Sequence, residues 1–184
     1  MNKVIGIVIA IAIFLGNAVA KEVAQPPVWQ KTLTNEVTKT DFKMVGNATF
    51  SYLLWDIYES YLSTPSGKFS FDENQDLLYK IQYLRNIKAA DLVDETENQW
   101  QKIGLNKQQY TTYLSQLKSI WPDINKGDSL TLVAKGSYSG FYYNNTFIGQ
   151  INDTQFAQVF MSIWLSNETT EPNIRKQLLG ESNE

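Results

Sequence analysis

Histidine and cysteine are both missing from this 184-residue chain. Their absence excludes Ser-His-Asp and Cys-His catalysis, disulfides, and any ordinary zinc or iron–sulfur site. Arginine is nearly missing too: of the 16 basic residues only Arg85 and Arg175 are arginines. There is no basic patch or charge block of the kind nucleic acid requires. No glycine-rich phosphate loop follows a strand, and the acidic residues are too scattered for a calcium loop. No cofactor and no metal are therefore expected. Stability must come from packing alone, and the aromatic residues, 13% of the chain, suit that task.

The long apolar run that is present lies at the N-terminus. Lys3 is followed by Val4 to Leu15, almost wholly apolar, and then by Ala18-Val19-Ala20. This is the form of a secretory signal peptide over residues 1–20, cut before Lys21. The run is shorter than the roughly 20 residues a spanning helix needs, so no stable membrane span is expected after cleavage. The expected location is periplasmic or secreted. Removing 20 of 184 residues leaves 164, enough for one domain with a sizeable core. Its formal charge is −4, from 15 basic residues once Lys3 is gone against 19 acidic ones. Residues 21–41 are polar with two prolines and read as an exposed arm, leaving 42–184 as the domain.

Strand and helix patterns alternate along that domain. Phe50 to Leu62 is rich in aromatic and β-branched residues and predicts one long strand. Pro65-Ser66-Gly67 predicts a turn, Phe69 to Phe71 the start of a return, and Leu77 to Ile87 a second long strand. Two helices follow. One spans about Ala89 to Ile103 and stops at Gly104; the next is capped by Asn106 with Gln109, buries Tyr110, Tyr113, Leu114 and Leu117, and ends before Pro122. Ser129 to Ala134 reads as a strand. Gly140 to Tyr143 and Thr146 to Ile148 form a hairpin across Asn144-Asn145, a pair that tolerates positive φ. Two helices close the chain. In the first, capped by Asp153, Phe156, Val159, Phe160, Ile163 and Trp164 share a face; the second has Thr170 as cap, Pro172 in its first turn and Gly180 at its end. The class is α+β, an antiparallel sheet with helices against it.

One charged residue breaks this pattern. Alternation in the second strand puts Leu77, Tyr79, Ile81, Tyr83, Arg85 and Ile87 on one face, so Arg85 falls in line with the apolar stripe. A guanidinium cannot shed its charge, so an inward one needs anions or carbonyls around it. Asp56 shares a face with Phe50, Tyr52, Leu54 and Tyr58 and is the inward acid that could neutralise it. One competing expectation is a ligand site, in which Arg85 and nearby tyrosines hold the carboxylate or enolate of an amphiphile in an apolar pocket; another is that Arg85 bends toward solvent near the strand end. The tryptophans Trp55, Trp100, Trp121 and Trp164 are expected in the core or a pocket wall. Arg175 is expected to dock the last helix.

Five local motifs stand in order: Trp55-Asp56-Ile57-Tyr58 after Gly46, Tyr83-Leu84-Arg85-Asn86-Ile87, Trp121-Pro122-Asp123-Ile124 with Gly127-Asp128, the Phe141 to Gly149 hairpin and the Ile151 to Gly180 block. Their order resembles the bacterial, periplasmic branch of the chalcone isomerase superfamily. It implies an open-faced β-sandwich, a long antiparallel sheet covered by helices with an apolar cleft between them. Plant members cyclise a chalcone with an arginine just after the first glycines. Gly46-Asn47-Ala48-Thr49 has none, which removes the expected electrostatic stabiliser. Other branches bind fatty acids without catalysis through an arginine and a tyrosine, a role open to Arg85 with Tyr83 or Tyr58 and neighbouring Asp56. The leading expectation is thus a non-catalytic binder of a small amphiphilic or fatty acid. The alternatives are an isomerase acting on an unsaturated carbonyl compound, with tyrosine as the acid, and a partner-binding protein with a closed cleft.

Overall fold

A computed structural model of the chain describes residues 40–71 and 75–181. The leader and nearly all of the N-terminal arm lie outside the described residues. Six strands form one antiparallel sheet whose spatial order is the chain order: β1 (Lys43–Tyr52), β2 (Trp55–Thr64), β3 (Leu77–Tyr83), β4 (Ser129–Lys135), β5 (Tyr138–Tyr143) and β6 (Thr146–Asn152). Between β3 and β4 run α1 (Ala89–Lys102) and α2 (Lys107–Ile120), and after β6 come α3 (Phe156–Leu165) and α4 (Pro172–Leu178). The α+β class and the helix-covered antiparallel sheet are as the sequence implies. None of the described helices is long and apolar enough to cross a membrane.

The main core lies between the helices and one face of the sheet. In β3, Leu77, Tyr79, Ile81 and Tyr83 alternate inward as expected, all 5% exposed or less. The central strand β4 is covered on both faces, because Val133 joins a small second cluster with Tyr142 on the far side. The helix α3 carries more than an apolar stripe. Phe156, Phe160, Ile163 and Trp164 are buried as read, and Ala157, Met161 and Leu165 are buried with them. A helix enclosed nearly all round is a core element rather than a surface one. Phe141 of β5 packs edge-on against both Phe156 and Phe160, which fixes α3 to the sheet.

Several helix ends follow their local signals. The Asn106 N–H donates to Gln109 Oε1 at 2.8 Å, one half of a capping box. Asp153, expected to cap α3, stands two residues ahead of the cap position, which Gln155 holds; its carboxylate accepts from the Gln155 N–H at 2.7 Å. Gly104 and Gly180 stop their helices with φ of +83° and +69°. Thr170 does not cap α4, contrary to expectation. Its hydroxyl donates to Gln99 Oε1, and Glu171 occupies the cap position ahead of Pro172. Arg175 does dock the last helix: its Nε donates to the Leu165 carbonyl at the end of α3, at 2.9 Å.

The largest correction concerns Phe50 to Leu62. It is not one strand but the turn end of a hairpin: β1 ends at Tyr52, Leu53 and Leu54 turn, and β2 begins at Trp55. Leu53 makes the turn at φ +56°, a conformation usually left to Gly, Asn or Asp. No residue type in Tyr52-Leu53-Leu54-Trp55 signals that turn, so the aromatic run reads as unbroken strand. Phe69 to Phe71 forms no strand either, though both rings pack on the core.

Candidate functional site

The strand β3 stops at Tyr83, two residues short of Arg85. Beyond it the Ile87 N–H donates to the Ile124 carbonyl, and the Ile124 N–H to the Ile87 carbonyl, in an isolated bridge outside the sheet. The alternation that placed Arg85 inward therefore runs out before reaching it, and Arg85 is exposed. Its guanidinium sits over the Trp55 ring, 4.5 Å from the centroid, and Nε donates to the Asp56 carbonyl at 3.4 Å. Asp56 is exposed as well, and its carboxylate accepts from Ser51 Oγ at 2.6 Å. The expected inward Asp56–Arg85 ion pair is thus absent. Trp55, 58% exposed, is a further correction to its expected burial.

Tyr58 and Tyr83 do come together inside. Tyr58 projects inward from β2 opposite Tyr83 of β3, and their rings meet edge-on with centroids 6.1 Å apart. Phe50, across from Tyr58 on β1, stacks on it at 5.2 Å. Tyr58 Oη accepts a hydrogen bond from Trp164 Nε1 at 2.9 Å. That bond leaves the Tyr58 hydroxyl proton free, and the Tyr83 hydroxyl has no hydrogen-bond partner among the described residues. Burial pushes both phenols well above the ordinary tyrosine range. The charges of Glu171 and Glu95 raise Tyr58 further, against the opposing pull of the Trp164 hydrogen bond. At neutral pH both are therefore uncharged donors.

These tyrosines line a cleft of about 350 Å³ between the sheet and helices α1 and α3. That volume lies near the lower end of the roughly 300–1,000 Å³ of small-molecule sites. Its floor is Ile57, Ile81 and Leu130, and its inner wall is Trp121, Phe160, Ile163 and Trp164. The opposite wall is one face of α1: Asp91, Leu92, Glu95, Thr96 and Gln99. Glu171, from the loop before α4, closes the rim. Residues Asp91, Glu95 and Gln99 recur at helical spacing, so one side of α1 turns polar groups toward the mouth while Val93, Thr96 and Trp100 are buried. The rim is acidic. Among the described residues no lysine or arginine lines the cleft, and no group of carboxylates is placed to hold a metal ion.

Sequence reasoning found the two tyrosines through the inward alternation of β2 and β3. It also expected Trp121 and Trp164 in a core or pocket wall, where both stand. It missed the carboxylate rim. Asp91 and Glu95 read as the solvated side of an amphipathic helix, and Glu171 comes from a separate element that only the docking of α4 brings near.

Fold and cleft together define an open-faced sheet protein with an internal, mostly apolar site. A family model for chalcone isomerase-like proteins matches residues 29–180, and the chain belongs to that family. It is 24% identical over 138 residues to an uncharacterized protein of Haemophilus influenzae, covering 75% of this chain and 68% of that one. Among solved structures it resembles a fatty-acid binding protein of Arabidopsis thaliana. The TM-score is 0.58 at 11% identity, over 75% of this chain and 86% of the other. At that identity the likeness is one of fold.

Proposed function

We propose that this protein is a non-catalytic binder that holds a small amphiphile in the cleft, with its apolar part against Ile81, Leu130 and Trp121 and its head at Tyr58 and Tyr83. The observation that carries this reading is an apolar cavity furnished with two uncharged hydroxyl donors. A buried phenol can still donate a hydrogen bond but releases its proton poorly, which favours holding an oxygen over acid catalysis. The fatty-acid binding relative of the same fold supports an apolar tail.

The head group is a different matter. Arg85 stands outside the lining, so a carboxylate would enter past Asp91, Glu95 and Glu171 with no cation to meet it. The head that fits is uncharged and accepts hydrogen bonds, such as an alcohol or a carbonyl. Quenching of Trp164 and Trp121, which wall the cleft, gives the test. Decanol should bind more tightly than decanoate at pH 7, and decanoate should gain as its carboxyl protonates at lower pH. Ile163→Trp, which fills the cleft, should abolish binding with the far-UV spectrum unchanged. Equal binding of both ligands by the filled variant would overturn the site, and tighter binding of decanoate at pH 7 would overturn the head group. Native mass spectrometry of protein from its own cells should show a co-purified amphiphile, and a chalcone should not be turned over. Export belongs to the same proposal: N-terminal sequencing of the exported protein should begin at Lys21.

A further inference from the structure

Among the described residues, the most exposed large apolar side chains are gathered at one point. Leu53 and Leu54 at the tip of the β1–β2 hairpin are 81% and 95% exposed, and the Tyr52 and Trp55 pair behind them 64% and 58%. Folding alone gives no reason for this. The turn forces leucine to φ +56° and then leaves its side chain in water. From this arrangement we propose that the hairpin tip inserts into the surface of a lipid bilayer.

Two features select lipid over a protein partner. The four residues are consecutive, so they point to both faces of the hairpin and to its end. A protein groove covers one face of a strand pair, whereas a bilayer surrounds a tip. The second feature is the order of chemistry along the hairpin. Leucines come first, then the Tyr52–Trp55 pair, then the Arg85 guanidinium over Trp55. Hydrocarbon, aromatic belt and phosphate follow in the same order into a membrane interface. Arg85 is free to serve there. It spends Nε–H on the Asp56 carbonyl, takes part in no ion pair among the described residues, and has its other N–H groups left for a phosphate. The nearby Asp56 carboxylate is engaged by Ser51. Phe50 and Ile57, which line the cleft, lie a few residues behind the tip, so insertion brings the cleft beside the lipid.

The test reads Trp55 alone, as the difference between the full chain and its Trp55→Phe variant. It uses vesicles of phosphatidylcholine and phosphatidylglycerol, a share of them with brominated acyl chains. Trp55 emission should shift to the blue on adding vesicles and be quenched by bromine. In a Leu53→Asp, Leu54→Asp double variant both signals should be lost, since aspartate resists entry into hydrocarbon. These side chains touch water in the folded protein, so the far-UV spectrum should not change. Arg85→Ala should weaken the shift most where phosphatidylglycerol is present. Any anchoring by Val4 to Leu15 is common to parent and variant and cancels. An unchanged Trp55 emission with vesicles, or bromine quenching that survives the double substitution, would overturn the proposal. So would a Trp55 emission already blue-shifted without lipid: rising with protein concentration it would mean a second copy covers the tip, and independent of concentration it would mean the chain itself does. The outcome does not depend on whether the cleft holds a ligand.

Discussion

Two hairpins of the sheet, β1–β2 and β5–β6, solve one geometric problem with opposite chemistry. Both turn on two residues, and both use positive φ. At β5–β6 the turn is Asn144-Asn145, with φ of +47° and +69°. Asparagine tolerates that region and has groups to bond with. Asn144 Oδ1 accepts from the Ser129 N–H at 2.8 Å, and Nδ2 donates to Asp128 at 2.7 Å. Asp128 also accepts from the Tyr143 hydroxyl and the Asn125 N–H, which hold its carboxyl below the usual carboxylate range. At β1–β2 the turn is Leu53-Leu54, strained and apolar, with no comparable network. A polar turn tied into its surroundings stabilises the fold. A strained apolar turn in water does the reverse, and is better understood as serving something outside the fold.

Substitutions in the two hairpins can sharpen or erase that contrast. The strongest effect belongs to the anchoring of β5. Phe160→Ala should cost about 3–5 kcal/mol, because it empties the contact with Phe141, Phe156 and Trp121. Denaturant unfolding measures it, and a loss near 1 kcal/mol would mean that the aromatic cluster is not what fixes α3 to the sheet. Next comes the base of the other hairpin. A Cβ on Gly46 would collide with the backbone carbonyls of Gln177 and Leu178, so Gly46→Ala should cost about 1–3 kcal/mol by the same assay.

Removing the polar turn should cost less. Asn144→Ala should lose about 1–2 kcal/mol, from two hydrogen bonds and a side chain suited to its φ. The pH dependence has a definite sign. The folded value of Asp128 is depressed, so its contribution is complete above the unfolded carboxylate value of about 3.9 and fades as pH falls through the lower folded value. Asp128→Asn should flatten that acid limb of the stability curve, and an unaltered limb would remove Asp128 from the account. At the apolar turn the sign reverses. Leu53→Gly should raise stability by up to about 1 kcal/mol by relieving the left-handed strain. A loss of that size would mean the leucine side chain is already buried against something. The smallest effect lies at Asp56 and Arg85. Each alanine should cost under about 1 kcal/mol, and the two should add within about 0.5 kcal/mol, since no ion pair joins them. Coupling beyond that would restore the pair.

The same contrast explains what could be read in advance. Asn144-Asn145 announces its turn by residue type, and the inward phase of Tyr79, Ile81 and Tyr83 follows from alternation. The α3 face follows from helical spacing. Leu53 announces nothing, because the turn opposes its intrinsic preference. Arg85 was placed inward by extending an alternation past the end of its strand; the hydrogen bonds from the Gly127 and Asp128 segment to Tyr83 end that strand, and they come from about 45 residues away. The site divides in the same manner. Its tyrosines belong to strands with a clear phase. Its acidic rim joins α1 to a loop far along the chain, a juxtaposition set by helix docking.

The close fit of Gly46 beneath α4 has a consequence for the order of assembly. Every neighbouring pair of strands is also consecutive in sequence, with only β3 and β4 set apart by two helices, so each strand pairs with the one made just before it. The contact between β1 and α4 is the exception: the first described strand waits for the last described helix, more than 120 residues later. A chain emerging from its N-terminus can pair strands early but cannot seal β1 until α4 has been made. Truncation before Pro172 should then leave an open sheet edge, exposed to pairing with other chains.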